Sequence, residues 1–298
     1  MEYFTKPLIS IITINYNSSL MTAELIESVE DHSYANFEII VIDNGSNKED
    51  PTWLKKKYPK IILINSEKNR GFAGGNNLGV SYATGEYYFF LNNDTLLTKE
   101  PIEPILNIIA NSQVGIVSPK IKFHNTNLIQ YAGNSDVNKL TGRSKRKGYK
   151  EVDHGQYDNN YPTSSVHGAA MMISRENFNR VGKIPEAYFL YYEELDWCEQ
   201  IKKMGLEIWY VGKYSVLHKE SMSIGKNSPM KTYYMTRSRI LFMRRNSTGI
   251  SKVFGLLFLG LISFPKNILF LLLRKEYSNI SAVVKAIIWN FKNAVYFL

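Results

Sequence analysis

The sequence predicts an α/β protein built on a doubly wound, largely parallel sheet and followed by a basic, apolar helical extension. Three observations carry this. Short apolar, β-branched runs alternate with stretches of helical periodicity from residue 7 to residue 91, the order that builds βαβ units. Those runs are apolar without alternation, as strands covered on both faces must be. The last quarter of the chain then becomes both its most basic and its most apolar part.

Residues 7–14, Pro-Leu-Ile-Ser-Ile-Ile-Thr-Ile, form the first strand. Asn15-Tyr16-Asn17-Ser18 ends it and is expected to cap a helix whose inner face carries Leu25, Ile26 and Val29. A second strand, 37–42, runs out in Asp43-Asn44-Gly45-Ser46, and a third, 61–64, leads to the glycine-rich stretch 69–77 and a helix reaching about Thr84. A fourth, Tyr87–Leu91, ends in Asn92-Asn93-Asp94. Turn and cap chemistry accounts for Asn or Asp after one or two strands. After all four, it points to a polar crevice at the carboxyl edge, where open α/β sheets bind ligands. Asp94 is thus the first candidate metal ligand, with an Asn-Asn-Asp-Thr turn as the alternative.

The middle of the chain is less regular. Residues 139–150, charged and glycine-containing, read as a mobile surface loop. Residues 166–174 resemble a strand with small residues where something approaches closely. A short helix over 175–180 stops at Gly182. The aromatic stretch 188–192 enters a helix over 193–205 with Glu193, Glu194 and Asp196 in its first turn and lysines near its end, as the helix dipole favours. The aromatic bulk would also desolvate a carboxylate there and raise its basicity, as a general base requires. His218 closes a strand-like run over 214–217; taken alone, such a histidine is usually structural.

Composition bounds the function. With 298 residues and 44% apolar content, the chain fits one large domain, 1–246, plus a helical segment, 247–298. A single cysteine, Cys198, excludes a disulfide framework and a multi-thiolate zinc site. The N-terminus lacks a basic region followed by an apolar one, so a cytoplasmic location is expected. Residues 219–298 hold thirteen Lys or Arg and two Glu, which exceeds the whole chain's net charge of +9. The remainder is slightly acidic, so nucleic acid is not an expected partner. The apolar run 253–273 lies between Arg244, Arg245 and Lys252 on one side and Arg274 and Lys275 on the other, which suits an anionic leaflet. It is about long enough to span a bilayer, yet Pro265-Lys266-Asn267 divides it. Val284, Ile288, Phe291, Val295 and Leu298 recur at helical spacing further on. The expectation is peripheral attachment to the inner leaflet; spanning, or packing against the main domain, are the alternatives. The glycine-rich stretch is neither a dinucleotide fingerprint nor a phosphate loop, which argues against NAD and ATP.

Six motifs in order, Ile14-Asn15-Tyr16-Asn17, Asp43-Asn44-Gly45-Ser46, residues 69–77, Leu91-Asn92-Asn93-Asp94, residues 168–173 and residues 189–198, resemble the inverting family 2 glycosyltransferases of the GT-A nucleotide-diphospho-sugar fold, particularly their bacterial rhamnosyltransferase-like branch. The resemblance covers roughly residues 7–246. It implies that Asn15 and Asn17 line the nucleotide pocket, that Asp43 meets the base or ribose, and that Asn44, Arg70, Asn76 and Gly168 help hold the nucleotide sugar. Asn92-Asn93-Asp94 stands in the place of the family's Asp-x-Asp motif, so Asp94 would coordinate Mg or Mn on the donor diphosphate. Asn92 and Asn93 would bind the donor. Glu194 matches the catalytic base and Asp196 its support. His218, 24 residues after Glu194, matches the histidine that completes the metal site. Asn92 replaces the motif's usual first Asp, and Glu194 the usual Asp of the base. No Gln-x-x-Arg-Trp motif is present, which implies single addition rather than polymerisation. The implied donor is dTDP-L-rhamnose, and the implied acceptor a saccharide on undecaprenyl diphosphate in O-antigen or other cell-surface polysaccharide synthesis. Lys219, Lys226, Arg237 and Arg239 are candidates to meet phosphates. The alternatives are a UDP-hexose or UDP-galactofuranose transferase, a sugar-nucleotide pyrophosphorylase, whose N-terminal signature is absent, and a basic membrane-binding protein without catalysis.

Overall fold

The computed structural model describes residues 6–100, 102–219 and 228–293. The first half runs β1 (Ile9–Asn15), α1 (Ser19–Glu30), β2 (Phe37–Asp43), α2 (Thr52–Lys57), β3 (Ile62–Asn65), α3 (Gly71–Val80), β4 (Tyr87–Leu91), β5 (Thr95–Leu97) and α4 (Glu103–Ile109). It continues through β6 (Val114–Phe123), β7 (Ile129–Tyr131), β8 (Tyr161–Pro162), β9 (Ala170–Ser174), α5 (Arg175–Val181), α6 (Glu193–Lys203), β10 (Glu207–His218) and α7 (Pro229–Asn246). The tail holds α8 (Gly249–Phe258), a π turn (Leu259–Ser263), α9 (Phe264–Leu273) and α10 (Tyr277–Lys292).

One sheet takes the order β3-β2-β1-β4-β9-β6-β10-β5, with β7 beside β6 and β8 beside β10. The pairs β1–β2, β2–β3, β1–β4 and β6–β10 are parallel, whereas β9 runs antiparallel between β4 and β6, and β5 antiparallel on β10. Six strands therefore end along one edge, and the amino end of β9 meets them there. Alternate residues of the central strands enter opposite cores: Ile39, Val41, Phe89 and Leu91 one, Ile40, Ile42, Tyr88 and Phe90 the other. Two-sided burial is why these strands read as unbroken apolar runs.

Three local expectations need correction. Ser18 precedes α1 but makes no side-chain cap bond; the Glu49 carboxylate instead accepts from Ser19 N at 2.9 and 3.1 Å. The glycine-rich stretch is the body of α3 rather than a loop before it, and the helix stops at Val80 instead of Thr84. A Cβ at Gly79 would lie 2.4 Å from Ile12 Cγ2, and one at Gly75 2.7 Å from Ile14 Cδ1, so the glycines let α3 settle directly on β1. Gly79→Ala should cost about 1–3 kcal/mol through overpacking, read as a lowered urea midpoint; an unchanged midpoint would show that Ile12 gives way freely.

Residues 139–150 belong to an ordered hairpin. Ser135 N donates to Lys145 O at 2.9 Å and Lys147 N to Gly133 O at 2.9 Å. The tip is pinned where Tyr192 Oη donates to Gly142 O at 2.9 Å and Arg239 Nε to Thr141 O at 2.7 Å. These long-range bonds are invisible to local composition.

The apolar tail is also continuous. Gly249–Leu273 forms 25 helical residues of mean hydropathy 2.1 in their most apolar window, only 17% of which is buried. Pro265 does not divide it, because Pro265 occupies the first turn of α9 directly after the π turn, where local rewinding accommodates the missing N–H donor. Helix α10 packs on α7: the Arg237 guanidinium lies 3.7 Å from the Trp289 ring centre, and Asn290 Nδ2 donates to Arg237 O at 3.1 Å. Leu259 and Phe264 join Tyr188, Tyr192, Leu241 and Met243 in a third core. Phe254, Leu261, Leu269, Leu273 and Phe291 stay exposed. Val295 and Leu298 lie outside the described residues.

Candidate active site

Strand register sets the polar residues side by side, pairing Asn15 with Asp43 and Asp43 with Asn65. Asn15 is fully buried. Its Nδ2 donates to Asp43 Oδ1 at 2.9 Å and to Glu49 Oε1 at 3.1 Å, while its Oδ1 accepts from Thr22 Oγ1 at 3.0 Å. Asn17 adopts a left-handed φ of 52°, and its Oδ1 accepts from Asn47 N at 2.9 Å and Lys48 N at 2.8 Å. The turn after β2 thus takes up hydrogen bonds from both asparagines. The cavity in front, about 460 Å³, is lined by Asp43, Ser46, Glu49, Asn65, Ser66 and Glu67 among others, a size suited to a small-molecule ligand.

Asn44 holds the turn into α3. Its Oδ1 accepts from Arg70 N at 2.9 Å, and its Nδ2 donates to Asn69 Oδ1 and Gly71 O, both at 3.1 Å. Arg70 Nε donates to Ser66 Oγ at 3.1 Å, which brings the guanidinium to the rim of the same cavity. Asn76 is buried, with Nδ2 donating to Phe72 O of its own helix at 3.1 Å. Asn77, passed over in the sequence, ties α3 to Ile184 O at 2.9 Å and Glu186 Oε1 at 2.8 Å.

The end of β4 is a tightly braced turn. Thr95 Oγ1 donates to Asn92 O at 2.6 Å, Asn92 N donates to Ala169 O at 3.0 Å beside Gly168, and Asn93 Nδ2 donates to Thr22 Oγ1 at 3.0 Å. This bracing fixes Asp94, whose Oδ1 stands 3.1 Å from His218 Nε2, since β5 and β10 pair Thr95 with His218. Both side chains are nearly buried. His218 Nδ1 lies 2.7 Å from Gln130 Oε1, an acceptor that requires a hydrogen on Nδ1. A neutral ring then turns its Nε2 lone pair toward the Asp94 oxygen, an arrangement relieved by a second proton or by a cation between them. One carboxylate plus one imidazole whose far nitrogen is held by a partner fits a divalent ion. No group of three or more His, Cys, Asp or Glu converges among the described residues, so such an ion would need ligand or water oxygens to complete its shell. His167, whose ring centre is 6.1 Å from that of His218, is held well below the usual imidazole range by burial first and then by the charge His218 has when protonated.

Helix α6 starts from two strained residues, Tyr191 at φ 66° and Tyr192 at φ 73°, a left-handed region costly for bulky side chains and concentrated at functional sites. They swing Glu193 and Glu194 into place. Burial, then the charge of Glu194, pushes the Glu193 carboxyl well above its ordinary range, and Glu193 Oε2 has no hydrogen-bond partner. Glu194 is only partly buried; burial is still the largest influence and raises its carboxyl, opposed by its own backbone N–H and then by Arg146. Arg146 comes from the hairpin read as a loop, so its reach to Glu194 was hidden in the sequence. Asp196 is buried and paired with Arg245 Nε at 2.6 Å, fastening α6 to α7. Of the cations expected at phosphates, Lys219 pairs with Glu24, and Arg237 donates to Ala187 O at 3.0 Å. Arg239 holds the hairpin, and Lys226 lies outside the described residues.

Because Glu193 takes up a proton more readily folded than unfolded, its contribution to stability is full at acid pH. That contribution is lost as pH rises from the ordinary value near 4.5 through the raised one. Glu193→Gln should therefore unfold at higher urea than wild type at neutral and alkaline pH and at similar urea at acid pH. A constant difference at every pH would contradict the buried-acid assignment.

A model described as "Glycosyl transferase family 2" matches residues 10–182, more than half of the chain. The chain belongs to glycosyl transferase family 2. The match contains every strand-end residue above but stops before Glu194 and His218. Among similar proteins is the low-salt glycan biosynthesis hexosyltransferase Agl10 of Haloferax volcanii, 28% identical over 238 residues, covering 78% of this chain and 74% of that one. The dTDP-rhamnosyl transferase RfbF of Shigella flexneri is 25% identical over 251 residues, covering 79% of each. The solved mannosyltransferase PcManGT from Pyrobaculum calidifontis, in complex with GDP-Man and Mn2+, superposes with a TM-score of 0.58 at 14% identity over 97% of this chain and 76% of that one. The fold is GT-A, and the protein is a nucleotide-sugar-dependent glycosyltransferase of family 2 type.

Proposed function

We propose that this family 2 transferase moves a single sugar, with inversion, from a nucleotide diphosphate to an acceptor hydroxyl, with Glu194 as the base. The observation that carries the reading is a carboxylate of raised basicity, Glu194, in a fold whose strand-end ledge closes in the Asp94–His218 pair. Glu194 takes the hydroxyl proton as the acceptor oxygen attacks the anomeric carbon from the face opposite the diphosphate. The new glycosidic bond forms as the carbon–oxygen bond to the diphosphate breaks, and the nucleoside diphosphate leaves with that electron pair. A divalent ion, Mg or Mn, held by Asp94 and His218 would supply Lewis-acid stabilisation to the departing phosphate oxygens; the Mn2+ and GDP-Man of PcManGT support that choice. Asp43, Ser66 and Arg70 would receive the nucleoside end, with Asn92, Asn93 and the Gly168 backbone nearer the sugar.

For the donor we propose dTDP-L-rhamnose, supported by the likeness to RfbF; the likeness to Agl10 supports other hexoses as the second choice. The acceptor would be a saccharide on undecaprenyl diphosphate in O-antigen or other cell-surface polysaccharide assembly. Residues 1–246 would form the catalytic domain and 247–298 the part that rests on the inner leaflet. The largely unburied apolar helix Gly249–Leu273 with its basic flanks supports this. A thermal-shift panel of dTDP-rhamnose, UDP-sugars and GDP-sugars, each with and without Mn, tests nucleotide, sugar and metal together. dTDP-rhamnose with Mn should give the largest rise in Tm. A larger rise with a UDP-sugar would move the donor assignment, and no rise with any would contradict the reading.

A further inference from the structure

A second cavity, about 720 Å³, opens between the 133–147 hairpin, α7 and the tail helices. It is separate from the pocket at the ends of β2 and β3 and shares no lining residue with it. Its walls carry five cationic side chains, Arg143, Lys231, Arg239, Lys266 and Arg274, against one acid, Glu276. None of the five makes an ion pair among the described residues. Arg143 and Arg239 lie close enough that, after burial, the charge of Arg143 helps lower the Arg239 guanidinium to about 10. Like charges gathered without a counter-ion mark an anion site.

The rest of the lining is apolar. Phe258, Ile262, Phe264, Phe270 and Leu271 close the cavity on the tail side, and Ile262 and Phe270 are also exposed on the outer surface of that helix. These two residues thus face both the basic interior and the surface proposed to meet the leaflet. Tyr192, the residue just before Glu193 and Glu194, lines the opposite wall. An occupant must be anionic at one end, apolar at the other, and able to present a hydroxyl toward the start of α6.

We infer that this cavity is the seat of the lipid-linked acceptor, taking the diphosphate of a polyprenyl diphosphate among Arg143, Lys231, Lys266 and Arg274 while the prenyl chain leaves past Phe270 and Ile262 into the membrane. The inference rests on the transferase reading and adds to it a site and a headgroup chemistry. It also gives the tail a recognition role: α8, α9 and α10 complete the acceptor site as well as resting on lipid.

The test is flotation of the full chain with phosphatidylcholine vesicles doped with a polyprenyl diphosphate, or with phosphatidylglycerol at equal charge. Wild type should bind the diphosphate vesicles more than tenfold better than the phosphatidylglycerol ones. Lys266→Glu with Arg274→Glu, both exposed positions, should abolish that preference, binding the two vesicle types alike. Lys266→Gln with Arg274→Gln serves as a milder second variant and should lose part of it. Equal binding to both vesicle types, or an undiminished preference in both variants, would overturn the proposal. Nucleotide-sugar thermal shifts run on the same samples separate the two claims. Intact shifts with no diphosphate preference sink the cavity assignment alone, whereas absent shifts in wild type sink the transferase reading beneath it.

Discussion

Glu194→Gln is expected to lower kcat by roughly 10²–10⁴-fold, the usual contribution of a positioned general base, with donor affinity nearly unchanged. The amide keeps the shape and loses the proton acceptor. Wild-type turnover should also fall with acidification over a range above that of an ordinary carboxylate, because burial raises the Glu194 carboxyl. The sign follows from the role: the base works only when deprotonated, so a raised pKa moves the acid limb upward. Arg146→Ala should move that limb further upward, since Arg146 acts to lower the same group. Initial rates of sugar transfer across pH, with donor Kd measured in parallel, check both. Transfer by Glu194→Gln at near wild-type rate would mean that another group takes the proton, with Glu193 the adjacent carboxyl to examine.

Asp94→Ala should lower kcat/KM by roughly 10²–10³-fold, the scale on which removing one stabiliser of developing charge is felt. With Asn at position 92, Asp94 is the sole carboxylate of the Asn92-Asn93-Asp94 stretch, so no neighbour in the motif replaces it. Asn92→Ala should act differently, raising KM for the donor more than it changes the metal requirement. Gln130→Leu offers a subtler probe. Gln130 touches His218 Nδ1 at 2.7 Å and is a positioning residue; its loss should weaken apparent metal affinity by about 10–100-fold, as outer-shell substitutions do.

The edge that carries the site was legible because it is made by chain order. Four strands that end in Asn or Asp, in a parallel arrangement, must bring those residues to one side, and register places Asn15, Asp43 and Asn65 in a row. Which hydrogen bonds those residues make was not legible, because the partners come from distant segments: Asn15 is taken up by Asp43 and Glu49. The glycine-rich stretch 69–77 was plain in the sequence, yet only packing shows that it is helical and that it settles on β1. The hairpin over 133–147 carries the composition of a solvated loop. Its order comes from Tyr192 and Arg239, which stand 50 and 98 residues from the groups they bond. Pro265 signalled a break that the preceding π turn absorbs. Glu193 and Glu194 looked alike as first-turn acids; burial separates them, leaving one an unpartnered interior acid and the other only partly buried.

The most direct test of a donor-diphosphate site at Asp94 and His218 is titration calorimetry of the nucleotide sugar in the presence and absence of Mn, on wild type and on Asp94→Ala. Wild type should gain affinity from Mn, and Asp94→Ala should lose that gain while keeping the metal-independent binding supplied by Asp43, Ser66 and Arg70. An equal gain from Mn in both proteins would contradict the assignment of Asp94.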